Sequence, residues 1–180
     1  MPRRHPRIPR TWLMTDERMG EDLWAALARL PRGSGVVFRH YALPANERRA
    51  LFAKVARVAA RRRLVLVRAG APAGRGEAGV HANARSVRPG LYTAPAHSRI
   101  EAIRAIRSGA EALFVSPVFT TRSHPGARAL GRARFGLLIR GLDISVIALG
   151  GMNAQRARSL RAFGIHGWAA IDAWLPGALN

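Results

Sequence analysis

The sequence predicts an α/β fold, a compact (β/α)8 TIM barrel in which some helices are shortened or missing. Eight short apolar runs alternate with longer amphipathic or loop-like segments along the chain. Alternating β and α segments are typical of a parallel sheet, and eight such units favour a closed barrel over an open sheet. The 180 residues, of which 48% are hydrophobic, are enough for one domain with a buried core, although barrels usually have at least about 200 residues.

The predicted strands are short apolar runs, most of them bounded by a polar residue or a glycine. The third is continuously apolar, as expected of a parallel strand that is covered on both faces. The seventh ends in Gly150-Gly151, and the eighth ends in Asp172. In chain order, strands are predicted at 12–15, 35–38, 64–67, 79–82, 91–94, 112–116, 144–149 and 167–171.

Helices are predicted where apolar residues recur at helical spacing or where a capping residue precedes a helical segment. Asn46 and Asn153 are positioned to cap two of them, and Ser98 with Glu101 forms a capping box at the start of another. The predicted helices are 20–30, 47–62, 98–107, 135–140 and 153–162.

Some of the helices of a full barrel are missing from the pattern. The segment 69–79 is rich in Gly, Ala and Pro and is predicted to be a loop, and 83–90 is too short for a full helix. A long polar loop is predicted at 120–131, and little chain remains after the eighth strand for a final helix. We expect residues 1–10 to form a basic N-terminal tail and 11–180 to form a single domain.

Arginine accounts for nearly all of the positive charge. The formal net charge is +20, and Lys54 is the only lysine. A polyanion-binding protein usually concentrates its arginines on one face, whereas these are spread along the chain, which argues against nucleic acid as a partner. The absence of cysteine excludes disulfides and thiolate chemistry, and no apolar run approaches the roughly 20 residues that span a bilayer. We therefore expect a cytoplasmic protein without a membrane partner.

The loops after the seventh and eighth strands are predicted to bind phosphate. In a barrel, ligands bind at the C-terminal ends of the strands, and these two loops commonly hold phosphate. Gly150 and Gly151 allow backbone N–H groups to approach an anion, and a capped helix follows them. Ile171 and Asp172 occupy the corresponding place after the eighth strand.

Two histidines are candidates for proton transfer. His97 begins a predicted helix, and His124 lies with Arg122 in a hydroxyl-rich loop that could close over an anionic substrate. A capping or packing role for His97 and a plain surface loop around His124 are the structural alternatives. His81 lies in an apolar strand and is expected to be structural. The sequence contains neither HExxH nor GxSxG.

Several segments together resemble the thiamine phosphate synthase/TenI superfamily over nearly the whole chain, from Trp12 to Trp174. They are WLMTD (12–16), GVHANARS (79–86), AHSRIEAIRA (96–105), GAEALFVSPVFTTRSHPGA (109–127), VIALGGMN (146–153) and GIHGWAAIDAW (164–174). The resemblance implies a (β/α)8 barrel that joins hydroxymethylpyrimidine pyrophosphate to a thiazole phosphate and releases pyrophosphate. The implied reaction is dissociative, with a pyrimidine carbocation trapped by the thiazole nitrogen and with Mg²⁺ stabilising the pyrophosphate.

The match to the family's functional residues is partial. Arg39 alone remains of a Gln-Leu-Arg-x-Lys stretch, and the two aspartates that bind magnesium in the family are replaced, near Val67-Arg68 and at Ser86. The pyrophosphate-binding lysine is replaced by His124, and the serine before the Ala-His pair is Pro95. The resemblance therefore implies Mg²⁺ while the usual ligands are absent, and no metal-binding residues are assigned.

The resemblance implies roles for the residues that do match. Gly150, Gly151, Ile171 and Asp172 are expected to bind phosphate, although the charge of Asp172 would repel it unless paired. A second anionic group is expected to contact Arg39, Thr121, Arg122, Ser123 and His124, with help from Arg68. Catalytic roles are expected for His97 and His124.

Three alternatives stay open at this point. A TenI-like thiazole tautomerase needs no metal, but its acid/base histidine falls at Ser116-Pro117, so that His97 or His124 would have to replace it. A non-catalytic barrel could bind thiazole phosphate without turnover. Asp16 and Asp172 could converge as a different metal site. Small phosphorylated molecules are the expected partners, and a homodimer is compatible with the sequence.

Overall fold

The strands form a closed parallel barrel, as the sequence predicts. The computed structural model describes residues 8–72, 74–83, 90–122, 126 and 128–177. Within them eight strands pair in chain order, and β8 pairs with β1 to close the barrel. The strands are β1 (Thr11–Met14), β2 (Gly35–Phe38), β3 (Val65–Ala69), β4 (Gly79–His81), β5 (Leu91–Ala96), β6 (Ala112–Val115), β7 (Ser145–Ala148) and β8 (Gly167–Ala170).

The helices of the described residues lie between the strands. They are α1 (Asp22–Arg29), α2 (Ala45–Arg62), α3 (Arg99–Arg107), α4 (Gly131–Ile139) and α5 (Ala154–Ser159). Three single 3-10 turns accompany them, at Glu17–Met19, Arg161–Phe163 and Asp172–Trp174. None of the described helices is long and apolar enough to cross a membrane.

Two of the predicted helix caps are confirmed and a third is wrong. Ser98 Oγ accepts the backbone N–H of Glu101, and Asn153 Oδ1 accepts the N–H of Arg156. Helix α2, in contrast, begins at Ala45 with Pro44 in the capping position, so that Asn46 lies inside the first turn. The fixed φ of proline suits it to a helix start, and Pro44 provides no side-chain cap.

The thinning of the helical layer is confirmed after β3. Residues 70–72 and 74–78, which join β3 to β4, form no helix. The corresponding prediction for 83–90 falls mostly outside the described residues, as do residues 1–7 of the basic tail predicted at 1–10. The helix predicted at 153–162 is shorter than expected, because α5 ends at Ser159 and a 3-10 turn follows it.

An aromatic group fills one part of the barrel core. The rings of Trp12 and Phe114 meet edge to face with centroids 5.1 Å apart, and the ring of His81 lies 4.8 Å from that of Phe114. Gly35 on β2 makes room for this group, because a Cβ atom there would overlap the Trp12 ring. A glycine at the start of an otherwise apolar strand is thus explained by the size of its neighbour.

His81 has the structural role expected of it. It is buried, and its Nδ1 lies 2.9 Å from Thr93 Oγ1, whose hydroxyl donates to the Val80 carbonyl. Burial, reinforced by the positive charge of Arg39, lowers the pKa of His81 to about 3. The imidazole is therefore neutral at neutral pH and belongs to the core.

Candidate functional site

A cavity of about 190 Å³ opens where the C-terminal ends of the strands converge. The side chains and backbone around it come from the last residues of β1 and β8 and from the segments after β2, β5, β6, β7 and β8. The structure thereby brings together seven residues that the sequence singles out: Arg39, His97, Thr121, Gly150, Gly151, Ile171 and Asp172. Ser116, Pro117 and Met152, from the segments expected at this end of the barrel, also line the cavity, and Met14, Leu149 and Ala170 are added that sequence reasoning did not select.

Close packing requires both glycines after β7. Gly150 has φ +94°, and a Cβ there would lie 2.7 Å from Pro117 Cα. Gly151 has φ +59°, and a Cβ there would collide with the Thr120 carbonyl oxygen. Only glycine combines positive φ with so close an approach of backbone to backbone.

The carbonyl groups of the loop after β7 accept hydrogen bonds from other parts of the protein. Leu149 O and Gly150 O accept the backbone N–H groups of Val118 and Phe119, at 2.9 and 3.0 Å. The Gly151 carbonyl accepts a hydrogen bond from the guanidinium of Arg156. The backbone N–H groups of Gly150 and Gly151 take part in none of these bonds, and N–H groups in a glycine turn are suited to an anion.

Arg156 is a residue near the site that sequence reasoning missed. Its guanidinium lies over the Phe119 ring, 4.9 Å from the centroid, while it bonds to Gly151. It also borders an adjoining cavity with Thr121, Arg122 and Asp172. Arg156 lies three residues after the capping Asn153, on the first turn of α5. This spacing was the signal in the sequence that could have placed Arg156 next to the glycine loop.

Arg39 reaches the cavity from β2 and is held there by the segment after β1. Its Nη2 donates to Asp16 Oδ2 at 2.8 Å and its Nε donates to the Thr15 carbonyl at 2.8 Å. Asp16 Oδ1 accepts from Arg18 Nε at 2.7 Å. Although burial alone would raise the pKa of Asp16, the hydrogen bonds from Arg18 and the charges of Arg39 and Arg18 bring it below its usual value. Asp16 is therefore a carboxylate shared by two arginines.

Arg48 of α2 fixes the backbone around Arg39. It is buried, lies over the Phe38 ring, and donates to the carbonyl groups of Arg39, His40, Ala69 and Ala71. These carbonyls belong to the loops after β2 and β3, so one side chain joins the two loops. A buried arginine with this many partners is a structural support for the rim of the cavity.

Asp172 is paired, which settles how its charge is accommodated next to the expected phosphate position. Arg122 Nε donates to Asp172 Oδ2 at 3.2 Å, and the side chains are 79% and 34% exposed, respectively. The pair joins the loop after β6 to the turn after β8 at the edge of the cavity.

The ring of His97 is oriented by a backbone carbonyl. Its Nδ1 lies 2.8 Å from the Ser116 carbonyl oxygen, and its backbone N–H donates to Glu101 Oε2 at 2.8 Å. Because a carbonyl can only accept, Nδ1 carries the proton, and in the neutral ring Nε2 is the atom that can accept one. His97 is also exposed and lines the cavity.

Other predicted site residues are not brought to the cavity. Arg68 is buried and donates to Glu77 Oε2 at 2.6 Å and to the Gly70 carbonyl, so it does not line the cavity as expected. Ser123 and His124 lie outside the described residues, as does Ser86.

The residues present do not fit the Mg²⁺ that the resemblance implies. Within the described ranges no three His, Asp or Glu side chains form a group that could hold a metal ion. Asp16, Glu77 and Asp172 each bond to an arginine instead. A divalent cation prefers carboxylate oxygens that are not already neutralised, so the convergence of Asp16 and Asp172 as a metal site is not supported either.

The closed parallel barrel places this chain in the class of (β/α)8-barrel proteins. The glycine-lined cavity at the C-terminal ends of its strands lies where proteins of this class bind their ligands. The chain matches the family model described as "Thiamine monophosphate synthase" over residues 12–174. It therefore belongs to the thiamine monophosphate synthase (TMP-TENI) family.

Curated relatives of this chain carry the same name over shorter segments. It is 33% identical to the thiamine-phosphate synthase of Pyrococcus furiosus over 91 residues, which are 50% of this chain and 44% of that protein. It is also 33% identical to the thiamine-phosphate synthase of Chloroflexus aurantiacus over 84 residues, 46% of this chain and 39% of that protein. The matched segment thus spans less than half the length of these relatives.

Solved structures agree on the fold. The thiamine phosphate pyrophosphorylase of Pyrococcus furiosus superposes with a TM-score of 0.75 at 22% identity, covering 91% of this chain and 86% of that one. The thiamine phosphate pyrophosphorylase of Bacteroides thetaiotaomicron gives 0.60 at 17% identity, covering 92% and 84%. At these identities the likeness concerns the barrel architecture.

Proposed function

We propose that this chain is a thiamine biosynthesis enzyme of the thiamine phosphate synthase type. It joins hydroxymethylpyrimidine pyrophosphate to thiazole phosphate and releases pyrophosphate. The main support for the proposal is the cavity, which is lined by Gly151, Ile171 and Arg39. The family match, over residues 12–174, includes all three residues. In the relatives named above, the same activity is part of the protein's name.

The two loops after β7 and β8 bind the phosphate of the thiazole in this proposal. The N–H groups of Gly150 and Gly151 donate to the phosphate oxygens, with the backbone of Ile171 and Asp172 completing the site. Backbone N–H groups in a glycine-rich turn suit this role because they bring partial positive charge close to an anion.

The arginines at the edge of the cavity bind the second anionic group. Arg39 follows β2, and Thr121 and Arg122 follow β6; Ser123 and His124, which come next in the sequence, lie outside the described residues. As the bond from the pyrimidine methylene carbon to pyrophosphate breaks, negative charge grows on the leaving group. Guanidinium groups fixed in advance stabilise that charge, and the thiazole nitrogen then forms the new bond to the carbon.

A direct assay tests this activity. Purified protein is incubated with both substrates and Mg²⁺, and thiamine phosphate and pyrophosphate are measured together, since they form in equal amounts. Wild-type protein is expected to form both, and Arg39→Gln is expected to lose most of the activity while Arg49→Gln, an exposed arginine on α2, keeps it. Absence of product from folded wild-type protein would exclude the synthase reaction.

A second candidate is a TenI-like thiazole tautomerase, and the geometry of His97 favours it. With Nδ1 bound to the Ser116 carbonyl, Nε2 is available to take a proton from a ring bound in the cavity and return it elsewhere. Incubation with the thiazole phosphate carboxylate tautomer alone, followed by NMR, tests this. Ligand binding without either reaction would identify a non-catalytic thiazole phosphate-binding barrel.

A further inference from the structure

Asp172, which lines the cavity, and Asp16, which bonds to the cavity residue Arg39, are both already bound by arginines. Asp16 accepts from Arg18 and Arg39 at 2.7 and 2.8 Å, and Asp172 accepts from Arg122 at 3.2 Å. The two pairs are also linked, because the pKa of Arg18 is raised first by its hydrogen bond to Asp16 and further by the charges of Asp16 and Asp172. Three arginines thus share two carboxylates, and the group keeps a net positive charge.

The two pairs differ in how firmly they are held. The side chains of Asp16 and Arg39 are 16% and 17% exposed, and Arg39 is also bonded to the Thr15 carbonyl. Arg122, in contrast, is 79% exposed and contacts Asp172 through one longer hydrogen bond. An exposed pair of this kind contributes little to stability, because water and salt screen it.

We propose that Asp172 is an internal counter-ion for Arg122, which an incoming phosphate group displaces so that Arg122 binds the ligand without a divalent cation. The proposal rests on the proposed function only for the identity of the ligand, which is a phosphate ester. Asp16 stays in place and keeps Arg39 aimed at the cavity.

The exchange is favourable for electrostatic reasons. A phosphate monoester carries more negative charge than one carboxylate and offers three acceptor oxygens, so it forms stronger bonds with a guanidinium. Asp172 and Arg122 border the same adjoining cavity as Gly151 and Thr121, so the ligand and the counter-ion compete for one arginine. The displaced carboxylate is one-third exposed and can be solvated.

A counter-ion and a metal ligand predict opposite effects of removing the carboxylate. Where a carboxylate holds Mg²⁺ for a phosphate, its loss weakens phosphate binding. Where it competes with phosphate for an arginine, its loss strengthens binding, since Arg122 no longer has to be released. The sign of the change therefore distinguishes the two arrangements.

The experiment is calorimetry of the full chain with inorganic phosphate at about 0.15 M salt, where long-range attraction to the basic surface is screened. Each titration is done with EDTA and again with Mg²⁺, and MgCl₂ alone is titrated as well. Asp172→Asn is compared with Asp143→Asn, which removes the same charge from an exposed position before β7, at the opposite end of the barrel. Arg122→Gln is compared with Arg104→Gln, an exposed arginine of α3.

We expect phosphate affinity to be the same within about twofold with and without Mg²⁺. Asp172→Asn should strengthen binding by about three- to fivefold, corresponding to an exposed ion pair of up to about 1 kcal/mol. Arg122→Gln should weaken binding by roughly fivefold or more. The two control variants should change binding by less than about twofold, because they alter only distant, screened charge.

Five results would overturn the proposal. Three are stoichiometric binding of Mg²⁺ alone, phosphate binding that requires Mg²⁺, and weaker binding by Asp172→Asn. The other two are lack of phosphate binding under both conditions and equal effects of the substitutions at Asp172 and Asp143. None of these depends on turnover, so a protein that binds phosphate in this way yet forms no thiamine phosphate would refute the proposed reaction alone.

Discussion

Arg39 and Asp16 meet across the ends of two neighbouring strands, with Nη2 of the arginine 2.8 Å from Oδ2 of the aspartate. The two residues are 23 positions apart in the chain, and the β1–β2 pairing brings them together. The Arg39 backbone N–H also donates to Thr15 Oγ1, so that backbone and side chain are both held. This arrangement turns a flexible side chain into a fixed cation at the cavity.

The first prediction concerns how Arg39 is held. Thr15→Val keeps the shape of the side chain but removes the acceptor for the Arg39 N–H and the contact with His40 Nδ1. We expect a loss of about 1–3 kcal/mol in unfolding free energy, because a buried N–H loses its partner. We also expect weaker phosphate binding. Urea denaturation and calorimetry measure the two effects, and a variant as stable as wild type would contradict the assignment.

The second prediction concerns the glycine after β7. Gly151→Ala should abolish measurable phosphate binding, because its Cβ collides with the Thr120 carbonyl in addition to straining the backbone at φ +59°. Gly141→Ala is the matched control, with φ +68° and open space around it. Both should lose about 1 kcal/mol or more from backbone strain, but only the first should lose binding. Equal phosphate affinity in both variants would show that the loop after β7 is not the phosphate site.

The third prediction concerns His97. If Nε2 transfers a proton, His97→Gln should lower kcat by about a hundredfold or more with little change in KM, for whichever reaction the enzyme performs through this group. A histidine that only packs at the start of α3, where Ser98 provides the cap, would change stability and leave kcat intact, which thermal denaturation and kinetics together would reveal.

The fourth prediction concerns Arg48. Arg48→Lys keeps the charge but cannot reach the four carbonyl groups that the guanidinium bonds. We expect a loss of about 3 kcal/mol in unfolding free energy, since buried carbonyls are left without donors. Arg49→Lys, an exposed neighbour on α2, should be unchanged within about 0.5 kcal/mol. A similar melting temperature for both variants would refute this role.

The fifth prediction concerns acid stability. Burial lowers the pKa of His81 to about 3 in the folded protein, whereas in the unfolded chain it is near 6.5. The unfolded state thus binds the proton first, so stability falls as pH drops from about 6.5 towards 3. In His81→Gln this part of the decline, amounting to a few kcal/mol (roughly 1.4 per pH unit), should disappear. Urea unfolding of wild type and His81→Gln between pH 7.5 and about 4 measures how the unfolding free energy of each depends on pH. Parallel curves for the two proteins would contradict the contribution assigned to His81.

Much of the barrel could be predicted because strands and helices leave local signals. The continuous apolar run of β3, the capping box at Ser98 and Glu101, and the double glycine after β7 are each visible within a few residues of sequence. The C-terminal ends of parallel strands meet at one edge, so Arg39, Gly151 and the residues after β8 could be placed in one site without knowing any distance.

Arg68 shows where that reasoning stops. Arg39 follows the last residue of β2, whereas Arg68 lies inside β3 in register with Phe38, and it is buried and paired with Glu77. The difference arises because Glu77 lies in the loop that replaces a helix after β3, and a loop has no periodicity from which its contacts follow. The cap of α2 at Pro44 rather than Asn46 is a smaller error of the same local kind.

The sequence by itself determined the order of the strands, the closed barrel and the edge at which the candidate site lies, because these follow from the periodicity of apolar residues and the parallel connection of each unit. Only the tertiary structure decided which arginine forms an ion pair with which carboxylate. Those choices depend on side chains that meet across strands and loops, 50 positions apart in the case of Arg122 and Asp172. They decide whether the rim holds a metal or an anion, since a carboxylate already bound to an arginine is a poor ligand for a cation.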